Sequence, residues 1–283
     1  MNRFEWIFVH ASSIGNSHIK ENIPCQDACN VLYTPNYVIS VVCDGAGSCL
    51  NSDKGSKFVA EHGIHRFNQL VKRQKWNQKR KFPSQKTWNK FAKETLYTIN
   101  KDLENYSINT GLDYKSLSCT LIVLITLKHG LLITHIGDGR AGYCNGNGEW
   151  HPMIKPYHGE LANQTVFITS DIWSNNLLDE YSESKVITEE IKAVCLMSDG
   201  CEKAAFECNL YDESTGNYYD PNRPFPPFFN TNMDLLPRLK QQGISQTEMN
   251  NLWAKFLESG NAKLQQEVDD KTMIFGVNIS SKV

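Results

Sequence analysis

Aspartates stand beside short apolar runs at several widely separated places in this 283-residue chain. One apolar run leads into Asp44, another leads into Asp199, and a third follows Asp269. Runs of this length and composition are typical of buried strands. Carboxylates gathered at the ends of such strands would repel each other strongly unless cations lay between them. Because hard carboxylate oxygens prefer magnesium or manganese to zinc, the pattern predicts an acidic centre for two metal ions.

Further acidic motifs extend this pattern along the chain. The full set, in chain order, is Gln26-Asp27, Asp44-Gly45-Ala46-Gly47, Ser118-Cys119-Thr120, Gly137-Asp138-Gly139-Arg140, Ser198-Asp199-Gly200 and Asp269-Asp270-Lys271-Thr272. In residue types and in order, these motifs resemble those of the metal-dependent protein phosphatases of the 2C type. The resemblance runs from about residue 10 to residue 279. One Asp-Gly pair most often marks a turn, whereas the ordered set indicates a family.

The resemblance implies a set of metal ligands and a reaction. The ligands it implies are Asp27, Asp44, the backbone carbonyl of Gly45, Asp138, Asp199 and Asp269. Asp44 would be catalytic and would bridge two manganese or magnesium ions, and Asp138 matches a position that helps to bind a weaker third ion. A water shared by the two ions would attack phosphorus in line, without a covalent enzyme intermediate. The implied substrate is phosphoserine or phosphothreonine in a protein.

Several residues depart from the family pattern. The family often has Glu before its first Asp, whereas this chain has Gln26, which forms hydrogen bonds but carries no charge. Residues 15–25 contain no arginine to bind phosphate, so the candidates are His18, as a protonated catalytic group, and Lys20, as a point charge. Asp270 occupies the family's Asn position and is interpreted either as a surface acid or as a residue acting through water. These departures motivate an alternative, a non-catalytic module that binds phosphoproteins or metal.

The order of apolar patterns indicates the fold class. Blocks of strands separated by long helices argue against a doubly wound sheet. They suit an α+β fold in which two mainly antiparallel sheets form a central sandwich flanked by helices. The resemblance to the 2C-type phosphatases implies the same arrangement, with four layers in the order α-β-β-α. Residues 1–283 are interpreted as a single domain with an insertion at 207–243, which is rich in Pro, Asn, Tyr and Phe. We expect a strand at 165–169, loops or a flap at 170–190, and a helix capped by Ser245.

One segment is strongly basic. Residues 72–93 hold nine Lys or Arg and no acid, with Trp76, Phe82, Trp88 and Phe91 interleaved. Binding of nucleic acid or of an acidic protein segment is one interpretation. The simpler interpretation is a solvated helix face with an adjoining loop, whose aromatic rings point into the core.

Charge and cysteine content indicate which partners and which cellular compartment to expect for the protein. With 29 Lys+Arg and 31 Asp+Glu, the net charge of −2 gives no general attraction to nucleic acid or membranes. No secretory signal is visible, and no segment approaches the about 20 apolar residues of a spanning helix. The nine cysteines favour a reducing compartment, and their spacings match no zinc site. We therefore expect a cytoplasmic monomer whose partner is a phosphorylated protein.

Overall fold

The computed structural model of the protein describes residues 4–78, 82–157, 165–174 and 177–280. The strands are β1 (Trp6–Ser13), β2 (Ala28–Tyr33), β3 (Tyr37–Cys43), β4 (Leu121–Leu127), β5 (Gly130–Ile136), β6 (Arg140–Asn145), β7 (Trp150–Pro152), β8 (Ser182–Ile187), β9 (Ile191–Met197), β10 (Phe206–Glu207), β11 (Leu210–Asp212), β12 (Asn217–Tyr219), β13 (Arg223–Pro224) and β14 (Lys271–Asn278). The α-helices are α1 (Asn16–Glu21), α2 (Ser52–Gln74), α3 (Gln85–Thr110), α4 (Leu178–Tyr181), α5 (Glu202–Ala205), α6 (Pro226–Gln241), α7 (Gln246–Ser259) and α8 (Ala262–Gln266).

Two antiparallel sheets of five strands form the centre of the fold. The first, called the β1 sheet, has the order β1-β14-β9-β6-β7, and the second, called the β2 sheet, has the order β2-β3-β4-β5-β8. An apolar layer between the two sheets includes Phe8, Val42, Leu124 and Leu196. The predicted sandwich of two antiparallel sheets is confirmed.

Helices cover the outer face of each sheet. On β3, Val38 and Val42 belong to the layer between the sheets, whereas Ile39 and Val41 pack with α2 and α3. This alternation follows from the two-residue period of a strand. Residues of α6, α7 and α8 cover the β1 sheet in a third apolar cluster, which completes four layers. Within the described residues, no helix combines the length and apolar character needed to cross a membrane.

Local sequence signals account for two of these helices. Ser245 caps α7 as predicted: its Oγ accepts the Glu248 N–H at 3.2 Å, and the Glu248 carboxylate accepts the Ser245 N–H at 3.1 Å. This reciprocal capping box satisfies two N–H groups that the helix itself cannot. Helix α6 begins with Pro226 and Pro227, whose ring fixes a helical φ where no intrahelical N–H bond is required.

The aromatic rings of the basic segment lie in the core, as the simpler interpretation predicted. Trp88 is fully buried and its Nε1 donates to the carbonyl of Ile133 at 2.8 Å. Trp76 is 7% exposed and packs edge-on against Trp88 and Phe91. Rings buried in this way cannot stack on nucleic-acid bases. Residues 79–81 of this segment lie outside the described part of the chain.

Two of the local predictions are wrong. Residues 165–169 form no named strand: 165 makes an isolated bridge and 168–169 form a turn, although Ile168 is buried and its N–H reaches the Cys119 carbonyl at 2.9 Å. Within 170–190, where loops were expected, Ser182–Ile187 forms β8 at the edge of the β2 sheet. Its polar, half-buried residues lack a strand-like apolar pattern, and pairing with β5 decides its conformation.

The segment 207–243 contains regular structure. Its first half contributes to the short pairs β10–β13 and β11–β12, and its second half contains all of α6. Phe228 and Phe229 on α6 are buried against Trp150 and other core residues. The α6 half is therefore part of the main apolar core. Its role as an insertion relative to the family stays a prediction.

We expect Trp88→Ala to lower the free energy of unfolding by about 3–5 kcal/mol, because it removes a large buried ring and leaves a cavity. Urea unfolding of the purified protein measures this change. The matched control is Ile108→Ala on the same helix, where the side chain is 71% exposed and the expected change is within about 0.5 kcal/mol. Equal effects of the two substitutions would contradict the core assignment of Trp88.

Candidate metal centre

The sheet topology brings the predicted acidic residues to one edge of the sandwich. Asp27 directly precedes β2 and Asp44 directly follows β3, and the pairing of Ala28 with Cys43 makes the two aspartates neighbours. Asp199 follows β9 and Asp269 precedes β14. Since β9 and β14 are adjacent and antiparallel, the end of one strand and the start of the other lie at the same edge.

Asp138 lies where the chain passes from one sheet to the other. It stands between β5 of the β2 sheet and β6 of the β1 sheet. The preceding Gly137 has a φ of 111°, a conformation that side chains disfavour. Asp138 is 8% exposed and accepts a hydrogen bond from the Thr165 hydroxyl. This crossing places its carboxylate within electrostatic reach of Asp44 and Asp199.

The carboxylates at this edge raise each other's pKa. Burial, followed by the charges of Asp27, Asp199 and Asp138, raises the pKa of Asp44 well above its ordinary value. Burial, with a smaller contribution from the charge of Asp270, raises the pKa of Asp27 to about 8. Burial and the charges of Asp138 and Asp269 raise the pKa of Asp199 to about 7. The centre therefore holds negative charge that protein groups do not balance, a condition that favours bound cations.

The donor set fits divalent cations that prefer oxygen ligands. Gln26, which is 5% exposed and directly precedes Asp27, has a buried Oε1 without a hydrogen-bond partner among the described residues. Within the described ranges, no three acidic, histidine or cysteine side chains lie close enough together to hold a metal ion as they stand. Spread carboxylates suit ions such as magnesium, which keep several water ligands.

Neutral donors hold Asp27 in place. The hydroxyl of Ser198 donates to its Oδ2 at 2.7 Å. The same hydroxyl oxygen accepts the Thr272 N–H at 3.0 Å, and the Thr272 hydroxyl donates to Ser12 at 2.7 Å. Ser198 and Thr272 belong to the edge of the β1 sheet, whereas Asp27 begins the β2 sheet. These bonds therefore join the two sheets at the acidic centre.

Asp270 is buried, so its interpretation as a surface acid is wrong. It is 2% exposed, and its two oxygens accept the N–H groups of Gly15 at 2.7 Å and Gln26 at 2.6 Å. Asp269 beside it is exposed, and its Oδ1 accepts the Asp270 N–H at 2.8 Å. Asp270 thus anchors the segment that carries Asp27, while Asp269 remains open to solvent and ligands.

His18 and Lys20 have different surroundings. The Nδ1 of His18, a residue 8% exposed on α1, lies 3.0 Å from Oδ1 of Asp270. The oxygen lies off the direction of the ring N–H, so this contact is an ion pair when His18 is protonated and not an aligned hydrogen bond. Lys20 is exposed, and no carboxylate pairs with it among the described residues. One of the two phosphate-binding candidates is therefore already engaged by an acid.

Gly45 is required by close packing. A Cβ built on it would lie 2.4 Å from the backbone oxygen of Gln26, closer than any side chain tolerates. Gly45 also forms an isolated antiparallel bridge with Cys119. The absence of a side chain thus lets the Asp44 loop approach the Gln26–Asp27 segment.

Arg140 is a residue that the sequence reasoning quoted within a motif but assigned no role. It is 2% exposed, and its Nε donates to Glu202 at 2.8 Å. Its two terminal nitrogens donate to Asp220 and Asn222, each at 2.8 Å. The guanidinium lies 5.6 Å from the Phe206 ring centroid. The sequence feature that could have drawn attention to Arg140 is its position two residues after Asp138. Its partners lie far along the chain and could not be inferred from it.

The chain is similar to known phosphatases in sequence. A model of the protein phosphatase 2C family matches residues 14–257. The chain is 31% identical over 260 residues to serine/threonine-protein phosphatase 3 of Escherichia coli (strain K12), covering 87% of this chain and 93% of that protein.

Solved structures share the fold. The crystal structure of a bacterial serine phosphatase aligns with a TM-score of 0.57 at 16% identity, over 99% of this chain and all of that chain. The serine/threonine phosphatase Stp1 from Staphylococcus aureus aligns with a TM-score of 0.54 at 16% identity, over 97% of this chain and 94% of that chain. The family match, the sequence identity and the acidic centre lead to one conclusion: the chain belongs to the protein phosphatase 2C family.

Proposed function

We propose that this protein is a metal-dependent phosphatase that removes phosphate from phosphoserine and phosphothreonine in proteins. The observation that carries the proposal is the unbalanced cluster of carboxylates at one sandwich edge, in a chain of the protein phosphatase 2C family. Phosphate monoesters hydrolyse very slowly in water, so the reaction requires strong stabilisation of charge. The name of the Escherichia coli relative supports serine and threonine phosphates as the substrate class.

We propose that the centre holds two manganese or magnesium ions, with a weaker third near Asp138. The proposed ligands are Asp27, Asp44, Gly45 through its carbonyl, Asp138, Asp199 and Asp269. When bound, a pair of divalent ions lowers the pKa of a water between them and offsets charge on the phosphoryl oxygens. Asp44 would be the ligand that the two ions share, and its carboxylate is the one on which the charges of Asp27, Asp199 and Asp138 all act.

The surrounding residues of the chain position this centre. Ser198 fixes one oxygen of Asp27 through a hydrogen bond from its hydroxyl. Asp270 holds the backbone on both sides of α1 through Gly15 and Gln26. Buried side chains and backbone amides held in this way cost little reorganisation when the reaction proceeds.

The capture of the phosphoryl group remains assigned to His18 and Lys20. His18 contacts Asp270, so its protonated ring would act near the centre while it also steadies that acid. Lys20 is exposed on the same short helix and is free to turn toward a bound phosphate. An ammonium group would contribute a point charge without the paired geometry of arginine.

The proposal also covers the setting of the enzyme. All nine cysteines are free thiols, and five of them are buried. Free thiols of this number suit a reducing compartment, in agreement with a cytoplasmic location. We propose that the protein acts there as a monomer on phosphorylated protein substrates.

Activity measurements test the proposed function directly. Hydrolysis of an aryl phosphate and of a phosphothreonine peptide should require manganese or magnesium and should stop with chelator. Asp44→Asn should lower kcat by at least about a hundredfold, because a neutral amide cannot bridge two cations. Asp234→Asn, at an exposed position of α6, is the control and should keep wild-type activity. Metal-independent turnover, or full activity of Asp44→Asn, would refute the proposal. Metal binding without turnover of any phosphoester would favour a non-catalytic module.

The stability of the metal-free protein should fall as the pH rises. The pKa of Asp199 is raised to about 7 and that of Asp27 to about 8, whereas unfolded aspartates titrate near 3.9. The folded state therefore keeps protons that the unfolded state has lost, and this stabilising contribution disappears as pH rises through the folded values.

Thermal melts of chelator-treated protein between about pH 5 and about pH 9 measure this effect. We expect Tm to decrease across that range, and we expect saturating manganese to offset the decrease because cations replace the bound protons. Asp44→Asn should show a shallower decrease than wild type. A chelated protein whose Tm stays constant or rises over the range would contradict the clustered-carboxylate assignment.

Two alanine substitutions separate the phosphate-binding candidates. Lys20→Ala should raise KM for the peptide with little change in kcat, since it removes a contact that substrate and transition state share. His18→Ala should in addition lower Tm, because Asp270 would lose a buried partner. Steady-state kinetics and thermal melts provide both readouts. If neither substitution alters KM, both assignments are wrong and another group binds the phosphate.

A further inference from the structure

A groove lies beside the acidic centre and has no part in the chemistry assigned above. Its volume is about 630 Å³, within the range of ligand-binding clefts. The residues from Phe206 to Leu210 line it, together with Phe225, Lys263 and Glu267. An open cleft of this shape can hold an extended segment of polypeptide.

The groove and the acidic centre share a border. Lys203 lines the groove and follows Asp199 by four positions, across one turn of 3-10 helix and the start of α5. Glu267 lines the groove two residues before Asp269, and its Oε1 accepts the N–H of Val268 at 3.0 Å. A peptide with its phosphorylated residue at the centre would therefore extend into this groove on one side.

Two lysines and two glutamates line the groove, and one of the lysines has no acidic partner among the described residues. Glu207 pairs with Arg223, and Glu267 pairs with Lys203 at 2.9 Å. Lys263 is exposed and lies 5.9 Å from the centroid of the Phe225 ring, and across the described ranges no carboxylate is paired with it. The unmatched charge in the groove is therefore an ammonium group above an aromatic face.

Arg140 supports the part of the groove that Phe206 and Phe225 line. Its guanidinium lies against Phe206, and it bonds Asp220 and Asn222 in the connection between β12 and β13. The β10–β13 pairing and the bond from the Phe225 N–H to the Ala205 carbonyl at 2.8 Å close the same segment. A preformed groove loses less entropy when a flexible peptide binds.

We infer that this groove binds the part of a phosphoprotein substrate next to its phosphorylated serine or threonine, and that Lys263 selects an acidic residue there. The inference rests on the proposed function. An acidic residue of the substrate is the partner that could pair with the ammonium group of Lys263. Its side chain would also contact the ring of Phe225, over which that ammonium group lies. A contact of this kind contributes equally to the bound substrate and the transition state, so it acts on KM.

Phosphothreonine peptides with a glutamate moved stepwise along both flanks test this selection. The manganese-loaded wild-type enzyme should show a higher kcat/KM for peptides with glutamate at particular positions on one flank than for the matching lysine peptides. In Lys263→Glu the ratio of kcat/KM between glutamate and lysine peptides should decrease by a factor of several up to about ten, through changes in KM. The lysine peptides should then become the better substrates. Lys240→Glu, an exposed site outside the groove, is the matched control and should keep the wild-type preference. A preference that is unchanged in Lys263→Glu overturns the inference.

A binding measurement separates this inference from the proposed function. Fluorescence anisotropy of the same labelled peptides on the Asp44→Asn protein reports the groove without turnover. In the Asp44→Asn background, the glutamate peptides should bind more tightly than the lysine peptides, and added salt should weaken this binding. The difference should disappear when Lys263→Glu is added. These results support the groove even if the wild type proves inactive. Equal affinity for glutamate and lysine peptides overturns the groove assignment, while metal-dependent hydrolysis of aryl phosphate would still support the phosphatase.

Discussion

Mutual repulsion among carboxylates held at one edge of two sheets is the constraint on which this structure depends. Burial and three neighbouring carboxylates raise the pKa of Asp44. A flexible loop would relieve such repulsion by moving its acids apart. Here Asp27 and Asp44 are attached to paired strands at Ala28 and Cys43, and densely packed sheets resist that movement. The charge is consequently relieved by protons or by cations.

The groups that hold the acidic residues in place are mainly neutral. Asp27 is bonded by the Ser198 hydroxyl, and Asp270 by two backbone N–H groups. A lysine or arginine in these positions would compensate the charge and compete with metal ions. Arg140, two residues after Asp138, instead pairs with Glu202 and Asp220. The guanidinium of Arg140 is thus engaged by acids outside the proposed set of metal ligands.

The same residues connect the centre to the surface around it. Glu267 accepts the N–H of Val268, next to Asp269, and also pairs with Lys203 on α5. Arg140 begins β6, two residues after Asp138, and fixes the segment that follows α5. The acidic centre and the groove beside it therefore share supporting residues. A substitution of Glu267 or Arg140 would therefore affect both the acidic centre and the groove.

The sequence by itself determined the fold class and the identity of the acidic residues, because apolar runs that end at Asp-Gly are local patterns with a direct physical meaning. It also placed Trp88 in the core and Ser245 at a helix cap, since both follow from periodicity and capping chemistry. It could not determine β8, whose polar residues become a strand only because β5 offers an edge for pairing.

Only the tertiary structure decided the roles of Asp270, His18 and Arg140. Asp270 was ambiguous in sequence, and it is buried because Gly15 and Gln26, more than 240 positions away, direct their N–H groups at it. His18 pairs with that acid for the same reason. Arg140 finds its partners 62 to 82 residues later. Contacts over such separations leave no local pattern, since they depend on which strands the fold places side by side.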